Sequence, residues 1–268
     1  MKVGISNLAW ATGGDAEIAL VLLAAGVRSI DVAPGKYAAE AGWPASAPRV
    51  RRWWADRGIT IGALQSLFHG HPALDVFASP APMLAHLAGV LDLAGELGAT
   101  KLVFGAPANR RPGSRPPTEA WAMAMEFLGA AGDLAGARGC TICVEAAPVA
   151  YGGEFAVTTE EAARWVVAVG HPAVRLQLDI GIATLLGEAL ERLLTEHAPL
   201  VGHVHLSEPH LLTLGDGTTD HGGAAKALKR HLPSMSASIE MLHQPDNDRV
   251  AEVSRALRVA TLAYRDRG

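Results

Sequence analysis

The sequence predicts a single (β/α)8 barrel, and three observations carry the prediction. Strand-like and helix-like stretches alternate eight times along the 268 residues, close to the ~250 residues typical of that fold. Neither G-x-G-x-x-G nor G-x-x-x-x-G-K-[ST] occurs, although a doubly wound open sheet often carries such a nucleotide-binding turn. Composition shows no linker, low-complexity tract or internal boundary, so residues 1–268 read as one domain.

The units follow in order. "KVGISN" (2–7) leads into "DAEIALVLLAAG" (15–26), where Gly26 reads as a helix C-cap. "VRSIDVAP" (27–34) precedes an irregular stretch and the helix "APRVRRWWADRG" (47–58). "ITIGALQ" (59–65) is followed by a long loop and an apolar helix over 83–98. "TKLVFGAP" (100–107) gives way to a basic, Pro-rich loop and a helix over 118–139. "CTICVEA" (140–146) precedes a helix over 158–170, which Thr158 or Thr159 can cap above acidic residues in its first turn. "AVRLQLDI" (173–180) precedes one helix over 183–197, and "LVGHVHLS" (200–207) precedes another over 222–232. "SASIEML" (236–242) precedes a last helix over 248–268.

Hydrophobic residues make up 49% of the chain and charged ones 19%, which suits a large core and argues against disorder. A net charge of −4 gives no general attraction to polyanions, so no nucleic-acid partner is expected. The N-terminus "MKVGISNLAW" lacks the apolar run of a signal peptide, and no segment approaches ~18 uninterrupted apolar residues. The expectation is a cytoplasmic protein without a membrane partner. Cys140 and Cys143 are spaced C-x-x-C, but they lie in a strand, where a separation of three places them on opposite faces. They read as reduced structural thiols rather than a redox pair or zinc site.

Four polar residues stand at the ends of the last four predicted strands: Glu145, Asp179, His205 and Glu240. In a barrel, those ends build the active site. Alternation puts Gln177 with Asp179, His203 with His205 and Ser238 with Glu240 on one face, leaving Leu178, Val204 and Ile239 for the helix side. Three carboxylates converging in one mouth repel one another unless a cation lies between them. The oxygen-rich set suits one divalent ion, Mn2+ or Mg2+ before Zn2+ or Co2+.

"CVEAAP", "QLDIG", "HVHLSEP" and "SIEML" together resemble the xylose-isomerase-like superfamily of sugar phosphate isomerases and epimerases. It includes ketose 3-epimerases, inosose dehydratases and the apurinic endonuclease IV group. The resemblance implies that Glu145, Asp179, His205 and Glu240 bind one divalent cation. It also implies that Glu145 and Glu240 move protons on the two faces of a ketose through an enediolate. The implied protein is a metal-dependent isomerase or epimerase of a small carbohydrate, often a homodimer. An inosose-dehydratase-like lyase and a non-catalytic carbohydrate-binding barrel are the alternatives. The chain departs from the superfamily at two positions that normally contact substrate oxygens. Ile182 replaces the histidine of D-x-G-H, and Leu211 replaces an arginine six residues after the strand-seven histidine. The endonuclease branch needs further zinc ligands, for which His69, Asp216, Asp220 and His221 are the nearest candidates, and the acidic net charge argues against it.

Further residues could line the mouth. Asn7 and Trp10 follow strand one, and Gln65 and His69 follow strand three, while His71 before a proline suits a turn. Arg110, Arg111 and Arg115 in "NRRPGSRPP" could grip an anionic substrate or form an ordinary solvated loop. Glu208 could orient the metal site from behind His205. Of the adjacent Trp53 and Trp54, at most one can face the core squarely.

Overall fold

The apolar runs become eight short parallel strands that pair in chain order and close, β1 against β8, into a barrel. The computed structural model describes residues 1–37 and 44–265. The strands are β1 (Val3–Ser6), β2 (Ser29–Val32), β3 (Thr60–Leu64), β4 (Lys101–Phe104), β5 (Thr141–Val144), β6 (Val174–Asp179), β7 (Val201–Leu206) and β8 (Ala237–Ile239). Around them run α1 (Asp15–Ala24), α2 (Ala47–Ala55), α3 (Pro80–Leu97), α4 (Pro117–Gly136), α5 (Thr159–Val169), α6 (Ile180–Leu185), α7 (Leu190–His197), α8 (His221–His231) and α9 (Arg249–Tyr264). Among the described residues, no helix is long and apolar enough to cross a membrane.

Outward strand residues such as Ile142, Leu178, Val204 and Ile239 are buried against the helices, in a layer that also holds Trp54 and Trp165. Gly202 shows how little room the interior leaves, since a Cβ there would meet the Arg175 side chain at 2.6 Å and Cys143 Sγ at 3.0 Å. Cys140 and Cys143 are free and buried. Burial raises the Cys143 thiol pKa to about 12, so it stays an inert thiol.

Caps written in the sequence set several boundaries. Gly26 follows α1 with φ +68°, and its N–H donates to the Leu23 carbonyl. Thr158 accepts from the Glu161 N–H at 3.1 Å and starts α5. Two expectations needed correction. The helix foreseen over 183–197 is two: Asp179 caps α6 by accepting from the Ile182 N–H, and Gly187 (φ +65°) breaks the run before α7. The eighth strand is shorter than 236–242: past Glu240 the backbone leaves the ladder, and the Leu242 and His243 N–H groups donate instead to the Leu211 and Leu8 carbonyls. The last three residues of the helix foreseen over 248–268 lie outside the described residues.

Candidate active site

Glu145 and Glu240 each lie one residue past a strand, yet the ladder still holds their backbones. The Glu145 N–H donates to the Phe104 carbonyl at 3.1 Å and the Glu240 N–H to the Leu206 carbonyl at 2.9 Å. Asp179 ends β6 directly opposite His205 of β7. Period-two alternation turns all four side chains inward. One ligand atom from each of the four lies within 4.8 Å of all the others. His205 Nδ1 is 3.0 Å from Glu240 Oε2, 3.8 Å from Glu145 Oε1 and 3.9 Å from Asp179 Oδ2. His205 and Asp179 are buried beneath the two glutamates, whose side chains reach the mouth with 15% and 13% exposure.

This crowding has an electrostatic signature. Burial, then the charges of Glu240 and Asp179, push the Glu145 carboxyl well above its usual range. Burial and Glu240 raise Asp179 to about 6. Burial alone would lower His205, but the surrounding carboxylates, Glu240 foremost, raise it well above its ordinary value. For Glu240, the charge of His205 and the hydrogen bond from Gln65 outweigh burial and hold the carboxyl low. Glu145 Oε1 and Asp179 Oδ2 are buried without hydrogen-bond partners, beside His205 Nδ1, which faces the Glu240 carboxylate at 3.0 Å. Unpaired buried polar atoms are costly, and here they surround one point. Two carboxylate oxygens and an imidazole nitrogen, with Glu240 Oε2 beside them, form a donor set that fits a divalent cation.

Neighbouring groups fix each member. Gln65 Nε2 donates to Glu240 Oε1 at 2.5 Å. Asp179 Oδ1 accepts from the Ile182 N–H at 2.6 Å and from Ser207 Oγ at 2.7 Å, which leaves Oδ2 for the cluster. Gly105 makes room for Glu145, since a Cβ at that position would lie 2.5 Å from Glu145 Oε2. Behind His205 lies Asp31, on β2. Its Oδ2 accepts from His203 Nε2 at 2.8 Å and lies 3.6 Å from His205 Nε2. Burial would raise the Asp31 carboxyl, but the two histidines hold it far below the usual range, as a buried anion. Sequence reasoning missed Asp31, although "SIDVAP" carries the same signal as "TICVEAAP": one acid in an apolar strand.

The other candidates divide. Gln65 and His69 share with Glu145 and Glu240 a cavity of about 340 Å3, Gln65 buried and His69 exposed at its rim. Asn7 is elsewhere, its Oδ1 accepting from the Ala33 N–H at 2.8 Å to tie β1 to β2. Arg110 does not meet solvent. It is fully buried near the Phe104 and Trp165 rings, and its Nη2 donates to the Glu145 carbonyl at 2.7 Å. Arg111 is an exposed partner of Glu154 at 3.7 Å, and Arg115 donates to the Pro112 and Phe77 carbonyls. Glu208 does not touch the cluster either. It accepts from the Gly215 and Thr219 N–H groups and lies 2.9 Å from His221 Nε2, folding the loop after β7. His71 sits in a turn, with its ring centroid 4.3 Å from that of His86. Trp54 is the core tryptophan of its pair, donating to the Tyr37 hydroxyl at 3.1 Å, while Arg57 covers Trp53. His69, Asp216, Asp220 and His221 belong to none of the metal-competent groups among the described residues. Ile182 and Leu211 line the mouth beside Glu145, Asp179 and Glu240.

Residues 20–260 match the model of the family described as the xylose isomerase-like TIM barrel. No curated protein matches the sequence significantly. Among solved structures, a D-psicose 3-epimerase crystallised in the presence of D-fructose superposes with a TM-score of 0.80 at 18% identity, over 98% of this chain and 99% of that one. The D-psicose 3-epimerase of Clostridium cellulolyticum H10 with D-tagatose gives 0.82 at 14% identity, over 98% and 99%. An IOLI protein with a bound zinc atom gives 0.73 at 16% identity, again over 98% and 99%. At these identities the likeness is one of fold.

Proposed function

We propose, from the premise that the chain belongs to the xylose isomerase-like TIM barrel family, that it is a divalent-metal-dependent sugar isomerase or epimerase working by proton transfer beside a carbonyl. One observation carries this reading: buried, unpartnered Glu145 Oε1 and Asp179 Oδ2 meet His205 Nδ1 and Glu240 within 4.8 Å at the floor of a mouth. The neighbouring structures, sugar epimerases and a zinc-containing barrel, support it.

Glu145, Asp179, His205 and Glu240 would hold the ion, with Mn2+ or Mg2+ favoured by the three carboxylates and Zn2+ or Co2+ also suited. Such an ion supplies positive charge to a sugar's carbonyl and adjacent hydroxyl oxygens, acidifying the C–H between them. The chain supplies the rest. Glu145 follows β5 and Glu240 follows β8, three strands apart around the closed barrel, so a sugar lying over the floor meets a carboxylate from each side. One glutamate removes the carbon-bound proton and the other returns a proton to the opposite face. Gln65 fixes Glu240 by Oε1, and Arg110 and the β-ladder fix the Glu145 backbone, so both carboxylates are set before substrate arrives.

The test is solvent exchange. Protein loaded with Mn2+ and incubated with ketoses in D2O should place deuterium on the carbon beside the carbonyl, as read by NMR. Chelation should stop the exchange and added Mn2+ restore it. No exchange across a panel of free and phosphorylated ketoses would overturn the reading, and loss of water from the sugar would replace it with the lyase alternative.

A further inference from the structure

Two recesses meet at the floor of the mouth, and their walls differ in chemistry. The larger, about 340 Å3, sets Gln65, Ser66 and His69 among apolar groups such as Leu67, Phe68 and Val103. The smaller, about 110 Å3, is walled by Ala146, Ala147, Ile182 and Leu211, with Asp179 at its floor and Tyr151 at its edge. Glu145 and Glu240 border both, so a substrate lying over these carboxylates extends one end into each. The apolar wall is held in place rather than left loose. The Ile182 N–H is bound by Asp179 Oδ1 at 2.6 Å. Leu211 donates its N–H to the Glu208 carbonyl at 3.0 Å and accepts from the Leu242 N–H at 2.9 Å. His210 and Leu211 both take left-handed backbone, with φ of 61° and 54°. Residues other than glycine adopt that conformation at a cost, and it concentrates in ligand-contacting loops. Tyr151, at the edge of the recess, accepts the His210 N–H at 2.7 Å.

We propose that the substrate presents an unhydroxylated terminal carbon to the recess of Ile182 and Leu211, so that the preferred substrate class is a 1-deoxy-2-ketose rather than a fully hydroxylated ketose. This rests on the isomerase/epimerase reading above and narrows it to epimerisation at C3, because a ketose with no hydroxyl on C1 cannot become an aldose. A hydroxyl seated against Ala147, Ile182 and Leu211 gives up water and gains no partner from these side chains, whereas a methyl group loses nothing and buries apolar surface. The small recess takes the short end of the sugar beside the carbonyl. The longer hydroxylated end then falls in the larger recess, beside Gln65, Ser66 and His69. An apolar pocket disfavours an added hydroxyl by up to about 10²-fold, which sets the scale of the effect.

The test is calorimetric titration of the Mn2+-loaded protein with 1-deoxy-D-fructose and with D-fructose, with deuterium exchange followed on both. The deoxy sugar should bind at least about tenfold more tightly, a difference of ~1.4 kcal/mol. Ile182→Asn gives the recess a donor and an acceptor and should shrink or invert that preference; Leu211→Gln serves should the first variant not fold. Equal or weaker binding of 1-deoxy-D-fructose overturns the proposal, and so does a preference that both variants leave unchanged. A clear binding preference with no deuterium exchange from either sugar would uphold the recess and count against the isomerase/epimerase reading instead.

Discussion

Replacing Glu145 with glutamine separates what this residue does for the fold from what it does for the reaction. Glu145→Gln keeps the volume and one oxygen able to meet a metal, and it removes the charge and the base. Within the 4.8 Å that bounds the ligand-atom separations, two like charges repel by about 3.5 kcal/mol at an effective dielectric constant of ~20. The sign follows from the raised Glu145 carboxyl, whose ionised form opposes folding above its unfolded pKa of ~4.3. Metal-free Glu145→Gln should therefore melt a few degrees above metal-free wild type at pH 8. That gap should narrow as pH falls through the raised folded value of the wild-type carboxyl, which then takes up a proton in the fold. Most buried polar replacements lower stability, so the direction is diagnostic. Turnover should fall by at least ~10²-fold, the low end of general acid–base catalysis and about 2.7 kcal/mol of barrier. The assay is scanning fluorimetry of chelator-stripped proteins, paired with deuterium exchange by loaded proteins whose metal content is measured in parallel. Full activity in metal-loaded Glu145→Gln would leave the glutamate only a ligand and end the two-base mechanism. A metal-free melting point several degrees below wild type would refute the electrostatic account.

Other perturbations test the surrounding groups. Asp31→Asn removes the anion facing His205 Nε2 and should weaken Co2+ affinity by about 10- to 100-fold in an absorbance titration; unchanged affinity would reduce Asp31 to packing. Gly105→Ala forces the Glu145 carboxylate aside and should cost about tenfold or more in turnover while the melting temperature moves little; wild-type turnover would show that Glu145 tolerates displacement. Glu208→Gln should destabilise the fold by about 2–4 kcal/mol in urea unfolding at pH 7. Because its hydrogen bonds hold the Glu208 carboxyl low despite burial, that contribution is present above pH ~4.3 and is lost as pH falls through the lowered folded value. A stability gap that persists undiminished at pH 3 would contradict the assignment.

The barrel was legible because alternation of apolar periods is a local property, and so was the convergence of Glu145, Asp179, His205 and Glu240, each a polar interruption at the end of an apolar strand. Asp31 carried the same mark but stood on the second strand, outside the run of four, and its meaning depends on His203, 172 positions away. Arg110 misled because a basic, proline-rich loop usually lies in solvent. Its burial comes from Phe104, Trp165 and the Glu145 carbonyl, contacts that no local pattern encodes. Glu208 was expected behind the metal site because it lies three residues after His205. The chain turns there, and its carboxylate serves the loop at Gly215 and Thr219. Gly187 shows the limit of periodicity: the apolar spacing runs on across 183–197, but one left-handed glycine ends the helix.

The most direct measurement is a crystal structure of the protein soaked with Mn2+, with anomalous scattering used to place the ion. The account predicts one anomalous peak at the floor of the mouth, bonded at about 2.0–2.6 Å to Glu145, Asp179, His205 and Glu240. No peak among those four side chains at saturating Mn2+, or a peak held elsewhere while they remain unpartnered, would contradict it.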